Sequence, residues 1–146
     1  MPTTTRTACT YDTFLCHNSR DKPFVRKIAA ILKKKRIKPW LDEWELPPGS
    51  VWQRHIEQCI GSIRSAIVFV GSNGTGPWQA FEIEALLREF ADRGCPIILV
   101  LLPNARRRPK LPLFLKGFTW VDFRESTPDP ILRLVWGITG ERPKVM

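Results

Sequence analysis

The chain has 146 residues, of which 43% are hydrophobic, so it is long enough to form one domain around a continuous core. Its net charge is +9 at pH 7, which leaves an acidic partner or a nucleic acid as ligands to consider. No apolar run reaches the roughly 20 residues of a membrane span, and residues 1–7 lack the apolar segment of a secretory signal. We therefore expect a cytoplasmic protein that does not contact membranes.

The cysteines and histidines form no recognisable metal or disulfide pattern. No two cysteines are spaced as Cys-x-x-Cys, and the histidines do not complete a zinc motif. We expect reduced thiols and no bound metal. The residues concerned are Cys9, Cys16, Cys59, Cys95, His17 and His55.

The basic residues are concentrated in two runs, residues 33–36 (Lys-Lys-Lys-Arg) and residues 106–110 (Arg-Arg-Arg-Pro-Lys). Such runs can bind nucleic acid or an acidic partner. They can equally be a solvated helix end, where cations complement the helix dipole, and a solvated loop. No aromatic residues that stack on bases interleave either run, so we do not expect this domain to bind nucleic acid.

The first predicted strand covers residues 10–16, and the polar loop His17-Asn18-Ser19-Arg20-Asp21 follows it. Ser19 or Asp21 can cap the next helix, and Pro23 suits its first turn. Apolar residues at helical spacing continue this helix up to the basic run at residues 33–36. They are Phe24, Val25, Ile28, Ala29, Ile31 and Leu32.

Residues 37–41 predict a short second strand, which Pro39 places toward a sheet edge because proline cannot donate to a ladder. The stretch from Asp42 to Gly49 predicts an acidic loop with one exposed tryptophan, Trp44. Ser50 is then expected to cap a second helix. The apolar stripe of that helix is Trp52, Ile56, Cys59 and Ile60.

The centre of the chain, residues 66–90, predicts a strand, a glycine-rich loop and a helix. Residues 66–70 (Ala-Ile-Val-Phe-Val) are typical of a buried strand, and residues 71–77 are rich in turn formers. A helix is predicted from Trp78, and Glu82 lies four residues further on, near Trp78 on the same side. In parallel sheets, ligands bind outside the carboxyl ends of the strands, which is where this loop is expected.

The last part of the chain predicts two more strands, at residues 96–102 and 118–123, and a closing helix at residues 127–140. An irregular segment, residues 103–115, lies between the strands, with a short helix near Leu113. Gly140 is a plausible helix stop. Five strands alternating with helices predict a parallel α/β sheet.

These segments resemble, in order, the motifs of TIR (Toll/interleukin-1 receptor) domains. Residues 11–21 (Tyr-Asp-Thr-Phe-Leu-Cys-His-Asn-Ser-Arg-Asp) resemble the first box of the family. Trp40-Leu41-Asp42, followed by Gly49 and Trp52, resembles its second strand and BB loop. Residues 74–82 (Gly-Thr-Gly-Pro-Trp-Gln-Ala-Phe-Glu) resemble the Trp-x-x-x-Glu segment of members that cleave NAD. The sequence Gly-Pro-Trp-Gln within it is typical of bacterial members.

The resemblance implies a flavodoxin-like sheet with strand order 2-1-3-4-5, covering residues 10–140 between tails at 1–9 and 141–146. It implies an NAD+ glycohydrolase that releases nicotinamide and ADP-ribose or a cyclic isomer, with NAD+ as substrate and no cofactor. It further implies self-association with other TIR domains through the loop from Asp42 to Gly49, in bacterial defence signalling, with another domain or partner protein supplying the trigger.

Matching positions carry the family's site residues onto this sequence. Glu82 matches the catalytic glutamate. The BB loop departs from some enzymatic relatives, since Pro47 and Val51 stand where those have an acidic residue and a phenylalanine. The residues expected to contact NAD+ are Phe14, His17, Asn18, Ser19, Asp42, Trp52 and Trp78.

Each assignment has a structural alternative: Trp78 and Trp52 can be core residues, and His17 can be a loop histidine whose hydrogen bonds are satisfied. Breaking an N-glycosidic bond develops positive charge on ribose, which the Glu82 carboxylate can stabilise. The same glutamate can instead complement the dipole of the first helical turn. Glu84, which can pair with Arg88 at i+4, is expected to be structural. At the level of the whole domain, the alternative is a non-catalytic adaptor that binds other TIR domains.

Overall fold

The computed structural model describes residues 10–72, 80–109, 111 and 113–144, without the side chains of residues 52, 53 and 80–83. Five parallel strands form one sheet in the order β2-β1-β3-β4-β5, which confirms the predicted architecture. The strands are β1 (Thr13–Cys16), β2 (Pro39–Trp40), β3 (Ala66–Val70), β4 (Ile97–Leu101) and β5 (Trp120–Asp122).

Helices cover both faces of the sheet. Apolar residues of α1 and α5 pack in one core cluster, and those of α3 and α4 pack in the other. The short helix α2 follows β2, and none of its residues is fully buried. The helices are α1 (Lys22–Lys34), α2 (Asp42–Glu45), α3 (Trp52–Cys59), α4 (Ala80–Asp92) and α5 (Pro130–Thr139). In the described ranges, none of them is both long and apolar enough to cross a bilayer.

Strand β3 is buried on both faces, as its continuous apolar sequence predicts. Ile67 and Phe69 join the cluster beneath α1 and α5, while Ala66 and Val68 join the opposite one. Strand β4 is equally buried and pairs with β3 over its full length. These two strands form the centre of the core, and their carboxyl ends lie side by side at one edge of the sheet.

Strands β1 and β2 are shorter than predicted. Strand β1 begins at Thr13 rather than residue 10, and Tyr11 makes only an isolated bridge to Ile63. Strand β2 is limited to Pro39 and Trp40, consistent with a proline at a sheet edge.

Helix boundaries also differ from prediction in places. The acidic loop begins with the helical turn α2, and the Ser50 hydroxyl donates to the Pro47 carbonyl instead of capping α3. Asp21 lies at the N-cap of α1 but makes no capping hydrogen bond. The closing helix starts at Pro130, where the Asp129 carboxylate accepts from the Ile131 amide. Gly140 ends that helix at φ +76°, as its position predicts.

Candidate functional site

The topology opens a crevice between the carboxyl ends of β1 and β3. From β1 the chain turns through α1 to β2 on one side, and from β3 it turns through α4 to β4 on the other. Loops that leave neighbouring strands in opposite directions separate, and this switch point is the usual ligand position in open parallel sheets. The loop after β1, residues 17–21, and the end of β3 at Gly71 meet there.

The Asp21 carboxyl group lies against the backbone of Gly71 at this edge of the sheet. A Cβ atom on Gly71 would lie 2.5 Å from Asp21 Oδ1, so only glycine leaves room for the carboxyl group. Asp21 is 5% exposed, and its Oδ2 atom has no hydrogen-bond partner in the described part of the chain. Burial raises the pKa of this carboxyl above its ordinary value.

Asn18, in the same loop as Asp21, has a second polar group without a hydrogen-bond partner in the described part of the chain. Its Oδ1 atom accepts from the Arg20 amide at 3.1 Å, which fixes the orientation of the side chain. Its Nδ2 atom is buried and makes no hydrogen bond within the described ranges. Buried polar groups are nearly always hydrogen-bonded, so this loop offers a ligand one buried donor and one buried acceptor that no described residue uses.

His17 connects the loops after β1 and β2. Its Nδ1 atom lies 3.4 Å from the Leu15 carbonyl, and its Nε2 atom lies 3.8 Å from Asp42 Oδ1. Lys22 Nζ donates to both oxygens of Asp42 at 3.2 and 3.3 Å. Burial lowers the pKa of His17 although Asp42 opposes the shift, so the imidazole is neutral at pH 7. His17 and Asp42, both predicted from the resemblance, are thus brought together.

The other predicted contact residues are placed differently. Phe14 belongs to the core, where its ring lies 5.2 Å from that of Trp40 and 6.2 Å from that of Phe90. It supports the strand that leads into the crevice, and its contact with NAD+ stays a prediction. Ser19 is exposed on the loop after β1.

The catalytic candidate lies on the helix that follows β3. Glu82 is in the first turn of α4, and Trp52 is the first residue of α3, but both side chains fall outside the described atoms. Trp78 and most of the glycine-rich loop, residues 73–79, lie outside the described residues. Glu84 pairs with Arg88 at 3.3 Å, which confirms the i+4 pair that the sequence predicts.

An arginine-centred clamp at the same edge was not predicted from the sequence. The Arg124 guanidinium binds both carboxylate oxygens of Asp122 at 2.9 Å and donates to the Arg106 carbonyl at 2.6 Å. In turn, Arg106 Nε donates to the Ser72 carbonyl at 3.2 Å. The clamp therefore joins the loops that follow β3, β4 and β5. The sequence feature that could have predicted this clamp is Asp122 at the end of β5 with Arg124 two residues later.

Two other kinds of site were considered beside the crevice, a metal site and a surface groove. Among the described residues, no group of three His, Cys, Asp or Glu side chains is arranged to hold a metal ion. A surface groove lies between the first residues of β4 and β5 and helix α5, lined in part by Trp120, Arg133 and Trp136. It faces away from the carboxyl edge and shares no residue with the crevice.

Comparison with known proteins decides the family. The family model described as the TIR domain matches residues 13–135, which is most of the chain. This chain belongs to the TIR domain family. The TIR domain of the Toll-related receptor TRR-2 from Hydra magnipapillata, a crystal structure, superposes with a TM-score of 0.57 at 21% identity, covering 86% of this chain and 91% of that one. That likeness bears on the fold alone.

A curated relative carries an enzymatic name. The NAD(+) hydrolase TcpA from Theionarchaea archaeon (strain DG-70-1) is 34% identical over 91 residues. The match covers 61% of this TIR domain chain and 27% of the relative, so the chain spans about a quarter of that protein's length.

We expect Asp21→Asn to raise the free energy of unfolding at pH 7 by about 1 kcal/mol. Asparagine has nearly the same shape as aspartate, so the substitution removes an unpaired buried charge without changing the packing. The raised pKa of Asp21 means that the folded state keeps this proton to higher pH than the unfolded chain, whose carboxyl ionises near 3.8. The stability contributed by Asp21 therefore falls as pH rises above that value.

Urea unfolding of parent and variant across that pH range measures the effect. The stability advantage of Asp21→Asn should grow with pH from near 3.8 and then level off above the folded-state pKa. A variant less stable than the parent at neutral pH would contradict an unpaired carboxylate in this crevice.

Proposed function

We propose that this TIR domain is an NAD+ glycohydrolase with Glu82 as its catalytic carboxylate. The main support is position: Glu82 belongs to the first turn of the helix that follows β3, at the edge where the β1 and β3 loops meet. The partial likeness to a protein named NAD(+) hydrolase supports the same substrate. The products would be nicotinamide and ADP-ribose or a cyclic isomer.

The chemistry needs only one well-placed anion. The bond between ribose C1′ and the nicotinamide nitrogen breaks, and its electron pair neutralises the pyridinium. Positive charge remains on the ribose ring, where a fixed carboxylate stabilises it and accepts from ribose hydroxyls. Water then adds to C1′ and releases a proton, or an atom of the same molecule attacks to give the cyclic product. Since nicotinamide leaves as a neutral molecule, a general acid is not required.

The loop after β1 supplies the groups we propose for binding. Asn18 Nδ2 is a buried donor with no partner in the described residues, and neutral His17 can donate or accept without adding charge. Ser19 adds an exposed hydroxyl, and the Asp42 carboxylate lies 3.8 Å from His17 Nε2. We further propose that Trp78 and Trp52, which the resemblance assigns to the pocket, provide flat surfaces for a ring.

We propose that the domain assembles with other TIR domains through the loop from Asp42 to Gly49. Trp44 in this loop is 40% exposed, with Lys33 Nζ 5.0 Å from its ring centre. The loop is tied to α1 because Lys22 binds Asp42 and Arg26 binds Glu43. A large aromatic residue on a fixed support is typical of an interface anchor. A cytoplasmic role in defence, triggered by a further domain or partner, stays a prediction.

The deciding experiment is nicotinamide release from NAD+ by the purified chain over a wide range of protein concentration. We expect release, with turnover per molecule rising with concentration, because assembly would exclude water from an otherwise open pocket. Turnover that stays constant on dilution would reject the requirement for assembly. No release at any concentration, from a protein that still self-associates, would favour the adaptor function instead.

A further inference from the structure

We propose that the loop after β4, through Arg107 and Arg108, is the rim that recognises the diphosphate of a dinucleotide substrate. This inference rests on the proposed function and names a binding role for one of the two basic runs. It is carried by the position of the loop, by the clamp that holds its backbone, and by the charge balance at the carboxyl edge.

The loop lies on the same side of the molecule as the crevice. It follows the carboxyl end of β4, the strand next to β3. Its first arginine, Arg106, reaches across and donates from Nε to the carbonyl of Ser72, at the start of the glycine-rich loop. Arg106 therefore ties the loop after β4 to the chain just beyond the carboxyl end of β3.

Hydrogen bonds from the Arg124 side chain hold the backbone of this loop. Arg124 is fixed by its two hydrogen bonds to Asp122, and its Nη1 atom donates to the carbonyls of Arg106 and Arg107 at 2.6 and 3.3 Å. These contacts use main-chain oxygens, and the Arg107 side chain forms no ion pair with the described residues. A loop ordered before the ligand arrives loses less entropy on binding, which favours affinity.

Several charges at this edge are paired, whereas Arg20 in the loop after β1 is exposed and forms no ion pair with the described residues. Lys22 is paired with Asp42, and Arg124 is paired with Asp122. Arg107 and Arg108 are exposed, and neither forms an ion pair with any described residue. A planar guanidinium binds phosphate oxygens through two parallel hydrogen bonds, which makes arginine well suited to a diphosphate.

The second basic run provides a matched control. Helix α1 starts at the carboxyl edge after β1 and runs back, so Lys34 and Lys35 lie at the opposite, amino edge. Both are exposed, like Arg107 and Arg108. Removing two charges there changes the net charge equally without touching the edge that holds the crevice.

The test compares Arg107→Ala/Arg108→Ala with Lys34→Ala/Lys35→Ala in the full chain. The arginine variant should raise KM for NAD+ by about fivefold or more with little change in kcat, the signature of lost ground-state binding. The effect should be smaller for nicotinamide mononucleotide, which lacks the diphosphate. The lysine variant should match the parent. Equal losses in both variants would show general charge attraction and overturn the proposal.

Calorimetric binding of ADP-ribose tests the rim without turnover. We expect the arginine variant to bind ADP-ribose about fivefold or more weakly than the parent, and the lysine variant to bind it as tightly. If the parent binds ADP-ribose in this pattern but cleaves no NAD+, the rim stands and the proposed enzymatic function fails. Unchanged affinity in the arginine variant, or a parent that binds no ADP-ribose, overturns the rim. Since the four side chains are exposed, each variant should fold like the parent.

Discussion

Glu82→Gln is expected to reduce nicotinamide release by about 100-fold or more, the usual cost of removing a group aimed at charge that develops in the transition state. Glutamine keeps the size and the hydrogen-bonding oxygen of glutamate and removes only the negative charge. The helix that carries residue 82 is anchored further along by Leu87 and Phe90, so the fold should not change. The measurement is kcat for NAD+ at a fixed, high protein concentration.

Glu84→Gln is the matched control for that substitution. Glu84 lies two residues further along α4 and pairs with Arg88 on the exposed surface. Losing an exposed helix pair costs a few tenths of a kcal/mol, roughly 0.3–0.5, and should leave turnover unchanged. If the two variants lost activity equally, or if neither did, the assignment of Glu82 as the catalytic carboxylate would be wrong.

Phe90→Ala is expected to lower the free energy of unfolding by about 3–5 kcal/mol, a large share of the stability of a small domain. The ring of Phe90 is fully buried, lies 6.2 Å from that of Phe14, and carries the Arg93 guanidinium 5.3 Å from its centre. Truncation leaves a cavity between α4 and the sheet, because neighbouring strands cannot collapse into it.

Denaturant unfolding monitored by circular dichroism measures this loss, with Leu113→Ala as the control. Leu113 is 84% exposed, so its truncation should change stability by less than about 0.5 kcal/mol. The same helix carries Glu82, so Phe90→Ala should also lower activity at temperatures where the domain remains folded. A loss no greater than that of Leu113→Ala would contradict the packing of α4 described above.

The site was only partly accessible from the sequence. His17 and Asn18 were assigned from the resemblance, and the structure sets both at the end of β1 beside the crevice. Asp21 was considered only as a helix cap, a local role that its geometry does not fill. Asp21 and Gly71 are 50 positions apart in the sequence, and no local sequence pattern predicts a contact between residues so far apart. The clamp of Arg124 and Arg106 was missed for the same reason.

The order of strands and helices and the buried centre at residues 66–70 followed from the sequence alone, because they depend on composition and spacing within short windows. The family followed from the resemblance of the sequence motifs, and the family model confirms it. The extent of β1 and β2, the neutral His17, the buried Asp21 and the reach of Arg106 to Ser72 were decided by the tertiary structure. Each of these depends on desolvation or on a hydrogen bond between segments far apart in the chain, and such terms exist only once the sheet has brought the segments together.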